Sequence, residues 1–597
     1  MGKLTILSVL LASTALFVSC SPITKHPSFN RTETSETLLN VEPNVYGAYL
    51  SGRIAHIRKD FDKAADYYKI AYSKDQSYPK LVDQLYLLLA SKGRIDEAAD
   101  YAKKSLETKE NDFAYMLVAT KQLRNGQYAS SIKNLNRIKE PIYKSMIAPM
   151  LNTWNYAGLN NSPKAFEELN KLKKQDGLSN VYNLHKAMLY DFLGKNREAS
   201  EAYQRILDNK NSEISVRTLD LITNFYIRTN QKDKALKIME STSNNQALDS
   251  LLNNLKAQVI KSDPDTTPAI LSSAQIGAAE ALFTIASTFR YDDVIDIAHM
   301  YTALSVYMNP KYSTAKVLMA DIYEIREMYE DANDIYDSID QNDIAYYAAQ
   351  LKKARNFIKQ EDYKSAEILL KNLSDDYDDI QIYMEIGDVL RINNRFAEAV
   401  KYYNKAIEKT KNPVNLWVLY YAKGVSQERS GLWKEAEASL MKAYTIKKHY
   451  LVLNHLGYTW IRQNQNIDKA FDMIVDAYNQ APFDPSINDS LGFALYNLGY
   501  YAMSIPFLEK AAEMYPSSAI ISSHLGDAYW FAHRKNEAKF QWKHALKLKD
   551  DSGELDINDT KNKIEKGLIS EPSLTYNKEK IEETIKKIKK LKNSRKL

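Results

Sequence analysis

The sequence predicts an all-α solenoid of about fourteen helical hairpins arranged in two arrays. Three observations carry that prediction. Glycine and proline are sparse, 18 and 16 in 597 residues, which disfavours a turn-rich β protein and suits long helices. A small residue recurs about every 34 positions along most of the chain, the mark of stacked supersecondary units. The recurrence breaks once, in a stretch containing Pro264 and Pro268. Hydrophobic and charged fractions of 45% and 26% are globular values, so the chain has the material for a continuous core.

The recurrence is visible when "FDKAADYYKIA" from residue 61 is set beside "IDEAADYAKKS" from 95, "FAEAVKYYNKA" from 396 and "KNEAKFQWKHA" from 535. The fourth letter traces a series of stations: Ala64, Ala98, Ser131, Ala165, Ala199, Ala235, Ala298, Ala332, Ala366, Ala399, Ala436, Ala470, Ser504 and Ala538. Eight of the thirteen intervals are 34 residues and four more lie between 33 and 37, too regular for composition alone.

Twelve residues before the station, late units place Gly387, Gly424, Gly492 and Gly526. Gly457 lies thirteen before Ala470, which implies one extra residue in "RQNQN". Four after the station stand large residues such as Tyr68, Tyr203, Tyr336, Tyr403 and Trp542, and seven after it another small one (Ala406, Ala443, Ala477, Ala511, Ala545). Pro310, Pro482 and Pro516 follow, where proline stops a helix and holds the preceding residue out of α geometry. The expected unit is two helices whose axes approach at the Gly and the first Ala. Units on Ser131, Ala165 and Ala235 lack the Gly and carry Ile138, Leu172 and Thr242 at the second small position, which predicts looser or differently curved hairpins.

This set of positions resembles the tetratricopeptide repeat, and the resemblance covers most of residues 45–549. It implies a right-handed α-solenoid with a concave surface, lined mainly by the first helix of each unit, that binds proteins or peptides. Residues 45–242 and 277–549 are expected to form the two arrays, with a helix and interrupting loop at 243–276 as the joint between them. Repeats bury their cores only against neighbours, so a joint is where a solenoid can bend or divide.

The chain opens "MGKLTILSVLLASTALFVSC", with one charge, Lys3, ahead of an apolar run from Leu4 to Val18. That run is too short to span a bilayer and long enough for an export signal. It ends at Cys20, the single cysteine of the chain. The segment resembles a bacterial lipoprotein signal. Val18, Ser19 and Cys20 fit the pattern of two small residues before the cysteine, while Phe17 stands where Leu is usual and Leu16 falls one place early. Ordinary cleavage after Ala15 is the alternative. The resemblance implies a signal peptide at 1–19, a diacylglyceryl group on Cys20, and a tether over 20–44 that reaches ~25–30 Å when flexible. A second acyl chain on the new amine makes such an anchor firm, since one chain alone binds reversibly. Ser21, rather than Asp, implies sorting to the outer membrane.

Net charge is +5, but residues 577–597 carry nine Lys or Arg against three Glu, so the rest is close to neutral. That distribution argues against a nucleic-acid-binding face. Residues 550–597 read as a linker followed by a basic helix with an apolar stripe of Ile581, Ile585, Ile588 and Leu591. Such a helix either caps the last repeat, lies solvated as a tail, or meets an anionic surface such as lipid or an acidic partner.

Outside the repeats no segment is large enough for an enzyme core. The nine histidines show no zinc spacing, one cysteine makes no metal cluster, and no phosphate-binding loop or nucleophile elbow occurs. No enzyme activity, cofactor or metal is expected. The candidate site is the first-helix face of the last five units, taken one helical turn either side of each Gly. It comprises Asp388, Arg391, Tyr421, Asn454, Tyr458, Asp489, Phe493, Tyr496, Asp527 and Trp530, with Ser523 on its rim. Aromatics mixed with acids and amides suit a peptide or helix; the competing explanation is that the aromatics simply pack between neighbouring helices.

The expected function is a membrane-anchored scaffold for protein or peptide partners in the bacterial envelope, facing the periplasm from the outer membrane and serving envelope assembly or maintenance. A structural subunit of a secretion, pilus or polysaccharide-export machine is the alternative, and an enzyme with an unrecognised site a third.

Overall fold

The computed structural model describes residues 44–594 apart from 59, 77–78, 174, 176, 210–213, 243–248, 292–293, 411–415, 550–553 and 573. Cys20, the signal segment and nearly all of the tether lie outside the described residues. The chain forms two compact units, 1–85 and 86–597. Among the described residues there are thirty-one α-helices and no strand. The all-α prediction holds.

All fourteen stations, Ala64 through Ala538 with Ser131 and Ser504 included, are 0% exposed. The reason for their size is contact between the two helices of each hairpin. A Cβ placed on Gly387 would lie 2.6 Å from the Tyr403 ring, one on Gly492 2.5 Å from Leu508, and one on Gly526 2.5 Å from Trp542. Each of those large residues stands four after its station, so the missing Cβ is the seat into which it packs. The first unit uses the same device, with Gly52 beneath Tyr68, and Gly52 stands twelve before Ala64.

Three of the units without the glycine have Ala119, Thr153 and Thr223 in its place, all buried. Thr153 donates to the Pro149 carbonyl at 2.8 Å and Thr223 to the Asp220 carbonyl at 3.2 Å, so each hydroxyl is satisfied inside its own helix.

Between the two helices of a unit, one residue takes a left-handed backbone five before the station: Gly93, Gly126, Asn160, Gly194, Asn230, Glu327, Glu361, Asn394, Gly431, Gly499 and His533. Glycine and asparagine enter this region at least cost, which accounts for most of the series. In the Ala470 unit both Asn464 and Asn466 have positive φ, and this wider turn absorbs the extra residue implied by "RQNQN". First helices are capped by local side chains, as where Asp484 accepts from Ile487 N at 3.1 Å and Ser518 Oγ from Ile521 N at 3.4 Å.

The interruption after Ala235 contains helix Asp249–Lys261, whose Leu252, Leu255 and Val259 join the cluster of Leu219, Ile222, Tyr226 and Ile238. Asn224 holds the following loop, donating to Pro268 O at 3.0 Å and accepting from Ile270 N at 3.2 Å.

Helix Ala274–Tyr291 then serves two masters. It is the first helix of the Ala298 unit, and its other side lies on the first helices of the preceding array. Gly277 sits on Trp154, where a Cβ would come within 2.1 Å of the indole. Thr284 meets His185 at 3.2 Å, and Glu280 forms a buried ion pair with Arg217 and accepts from the Tyr312 hydroxyl. Past it, Tyr307 donates to Asp96 at 2.5 Å and Lys92 pairs with Asp331 at 3.2 Å, so the later array returns onto the earlier one.

The basic C-terminal helix, Lys578–Ser594, buries Ile581 and Ile585 against helix Ile467–Gln480. Thr584 donates to Asp472 at 2.6 Å and Asn577 N to Asp468 at 2.8 Å. It covers the Ala470 unit, two units short of the chain's last repeat.

Candidate protein-interaction face

The candidate residues lie on five successive first helices: Ile380–Ile392, Leu416–Arg429, Tyr450–Arg462, Pro485–Asn497 and Ala519–Phe531. Each lies within one helical turn of the close-packed Gly, on one side or the other, so hairpin packing fixes the direction in which it projects. What each then touches differs along the row.

Asp388 accepts from the Tyr403 hydroxyl at 2.8 Å, and Arg391 Nε donates to that same hydroxyl at 3.3 Å. Both remain half-buried. Tyr421 stands edge-on to the His455 ring, and burial pushes its hydroxyl up to about 12. His455 in turn meets Glu428, which also accepts from Thr459 at 3.1 Å. Burial works against the Glu428 charge, but the His455 and Thr459 contacts outweigh it and hold the carboxyl below its ordinary value. The Asn454 carbonyl oxygen is buried without a hydrogen-bond partner.

In the last two units the acids turn inward. Asp489 is buried, with His524 Nδ1 2.9 and 3.1 Å from its two oxygens. Tyr496 is buried against Tyr501 and Phe531. Asp527 accepts from Trp542 Nε1 at 2.8 Å; burial pushes its carboxyl up, and the ammonium of Lys563 at 2.9 Å pulls the other way. Ser523, expected on the rim, is buried at 4% exposure because its helix is packed on more than one side.

Sequence spacing alone did not show two features. One is an acid–aromatic pin at a separation of fifteen, repeated as Asp321–Tyr336, Asp388–Tyr403 and Asp527–Trp542, which ties the two helices of a unit together. The aromatic sits four after the station and the acid one after the Gly position, so both were visible and only their pairing was not. The other is a set of links between consecutive first helices: the ion pairs Lys352–Asp321 and Arg355–Glu385, and the histidine–carboxylate contacts His455–Glu428 and His524–Asp489.

The rest of the row is met by the chain itself. The Tyr458 hydroxyl donates to Glu554 at 3.0 Å, and Arg462 pairs with that carboxylate at 3.1 Å. Phe493 packs on Tyr458 and on His524. Trp530 Nε1 donates to the Leu568 carbonyl at 3.1 Å, and Gly567 lies against the same indole with its φ at +76°. Among the described residues no group of three or more His, Cys, Asp or Glu could hold a metal ion, and no helix is long and apolar enough to cross a membrane.

Family models described as tetratricopeptide repeat match residues 351–413 and 486–518. A TPR repeat-containing protein of Pseudomonas aeruginosa is 26% identical over 148 residues, which is 25% of this chain and 25% of that protein, so the chain spans about a quarter of the curated relative it matches. Among solved structures, one chain of the APC/C heterotetramer Cut9–Hcn1 aligns over 87% of this chain and 96% of its own length at 14% identity and a TM-score of 0.36. Yeast Tom70 aligns over 88% and 95% at 15% identity and a TM-score of 0.30.

Proposed function

We propose that the chain is an outer-membrane lipoprotein, anchored through Cys20, that presents its repeats to the periplasm and holds protein or peptide partners during envelope assembly or maintenance. One observation carries the binding half of this reading. The half-buried face around Asp388, Arg391, Tyr421 and Asn454 offers a carboxylate, a guanidinium, an aromatic ring and an amide side chain on adjoining first helices. That mixture recognises a polypeptide by backbone and side chain together. The anchoring half rests on the sequence from Met1 to Cys20.

The two halves are tested separately. Cys20→Ser is expected to move the protein from the outer-membrane fraction to the soluble or inner-membrane fraction, and unchanged fractionation contradicts anchoring. A photo-crosslinker at Tyr421 is expected to trap a discrete protein in cells. Recovery of none, with the chain folded and correctly placed, contradicts the scaffold role.

A further inference from the structure

The strongest unassigned feature is the run of residues 554–568 across the last repeats. It is not packed as a core element. Helix Ile557–Lys566 has one buried residue, Thr560, and meets the repeats through the Lys563 ammonium and the side chain of Ile564. Its attachments are spaced and chemically distinct. Glu554 meets the Tyr458 hydroxyl and Arg462; the Lys563 ammonium meets the carboxylate of Asp527; Leu568 offers its carbonyl to Trp530, with Ile564 and Leu568 resting on the aromatic cluster of Tyr496 and Trp530. Four of the ten residues that make the candidate face, Tyr458, Tyr496, Asp527 and Trp530, are therefore engaged by this one segment.

A face that takes an acid, then an ammonium, then an apolar residue after a glycine turn is reading a peptide, and here the peptide is in cis. We infer that residues 554–568 are a built-in ligand of the last repeats, and that the partner is a protein segment presenting carboxylate, ammonium and apolar side chain in that order, which displaces them. The inference rests on the scaffold reading above and specifies which part of the face is held closed.

Gly567 gives the means to test it in the full chain. At positive φ, and with a Cβ that would come 1.9 Å from the Trp530 ring, Gly567→Ala is expected to loosen the segment from the repeats. The probe is a fluorescent synthetic peptide of residues 554–568, titrated by anisotropy. The Gly567→Ala chain is expected to bind it at least tenfold more tightly than the unaltered chain, whose tethered copy competes. Adding Trp530→Ala to that variant is expected to abolish binding, and a peptide with Glu554, Lys563 and Leu568 all changed to Ala is expected not to bind. Circular dichroism checks that both variants keep their helix content, and Glu554→Ala with Leu568→Ala detaches the segment by a second route. Equal affinity in altered and unaltered chains, or no binding to either detached variant, overturns the inference. No client enters these measurements, so a failure to crosslink a partner in cells leaves them standing, and their failure leaves the crosslinking result standing.

Discussion

Two stretches of first-helix face in this molecule are covered by the chain's own helices, and they are covered in opposite ways. Over the earlier array lies Ala274–Tyr291, with ten buried residues, a glycine pressed on Trp154 and a buried Arg217–Glu280 pair. Over the last repeats lies Ile557–Lys566, with one buried residue, a Lys563–Asp527 pair and Ile564 resting on the aromatic cluster. A face closed by interdigitated apolar packing is part of the core and opens only with global unfolding. A face covered through a few polar contacts opens locally. The comparison teaches that the same surface of the same repeat can be used up as architecture at one end of a chain and kept for exchange at the other.

The largest effect should come from the first cover. Trp154→Ala removes a fully buried indole from beneath Gly277 and should cost ~3–5 kcal/mol in chemical denaturation. A loss below ~1 kcal/mol would mean that the helix is only resting there. Next comes Ala538→Leu, which overpacks the last hairpin at a station with 0% exposure and should cost ~1–3 kcal/mol. Ile569→Ala, at a residue 91% exposed, is its control and should leave stability unchanged.

Acid should also act through two buried histidines. His185, beneath Thr284, and His299 are both lowered to about 3 by burial, with nearby Arg326 and Lys92 adding to the effect at His299. The unfolded chain therefore takes up protons on both from about pH 6.5 downward while the folded chain does not. Stability falls as pH drops from about 6.5 toward about 3, by up to ~1.4 kcal/mol per pH unit for each histidine. His185→Gln should reduce the slope measured between pH 6 and 5, and an unchanged slope would place the titration elsewhere. The smallest effect belongs to the second cover: Glu554→Ala, a partly exposed pair, should change stability by less than ~1 kcal/mol while loosening the segment.

Much of this was legible in advance because it depends on sterics that recur. Ala64 to Ala538 could be found by spacing since each must admit a neighbouring helix, and the extra residue before Ala470 was visible because spacing is conserved by packing. The left-handed turn residues were equally periodic, yet Glu327, Glu361 and His533 at that position hide the glycine–asparagine pattern. The candidate face was legible only as a set of positions. Tyr421 and Asn454 are half-buried, and nothing in the repeat indicates that Lys563, thirty-six residues after Asp527, comes back to neutralise it. Nor could Ser523 be told from a rim residue, because its burial is decided by elements outside its own unit. Contacts within a hairpin repeat along the chain and leave a period; contacts made by a returning segment occur once and leave none.

Hydrogen exchange read by mass spectrometry on the intact chain compares the two covers in a single experiment. The account predicts that amides of Ala274–Tyr291 exchange only at the rate of global unfolding, while those of Ile557–Lys566 exchange far faster through local opening that leaves the repeats beneath protected. Equal, global-level protection of both helices would contradict it.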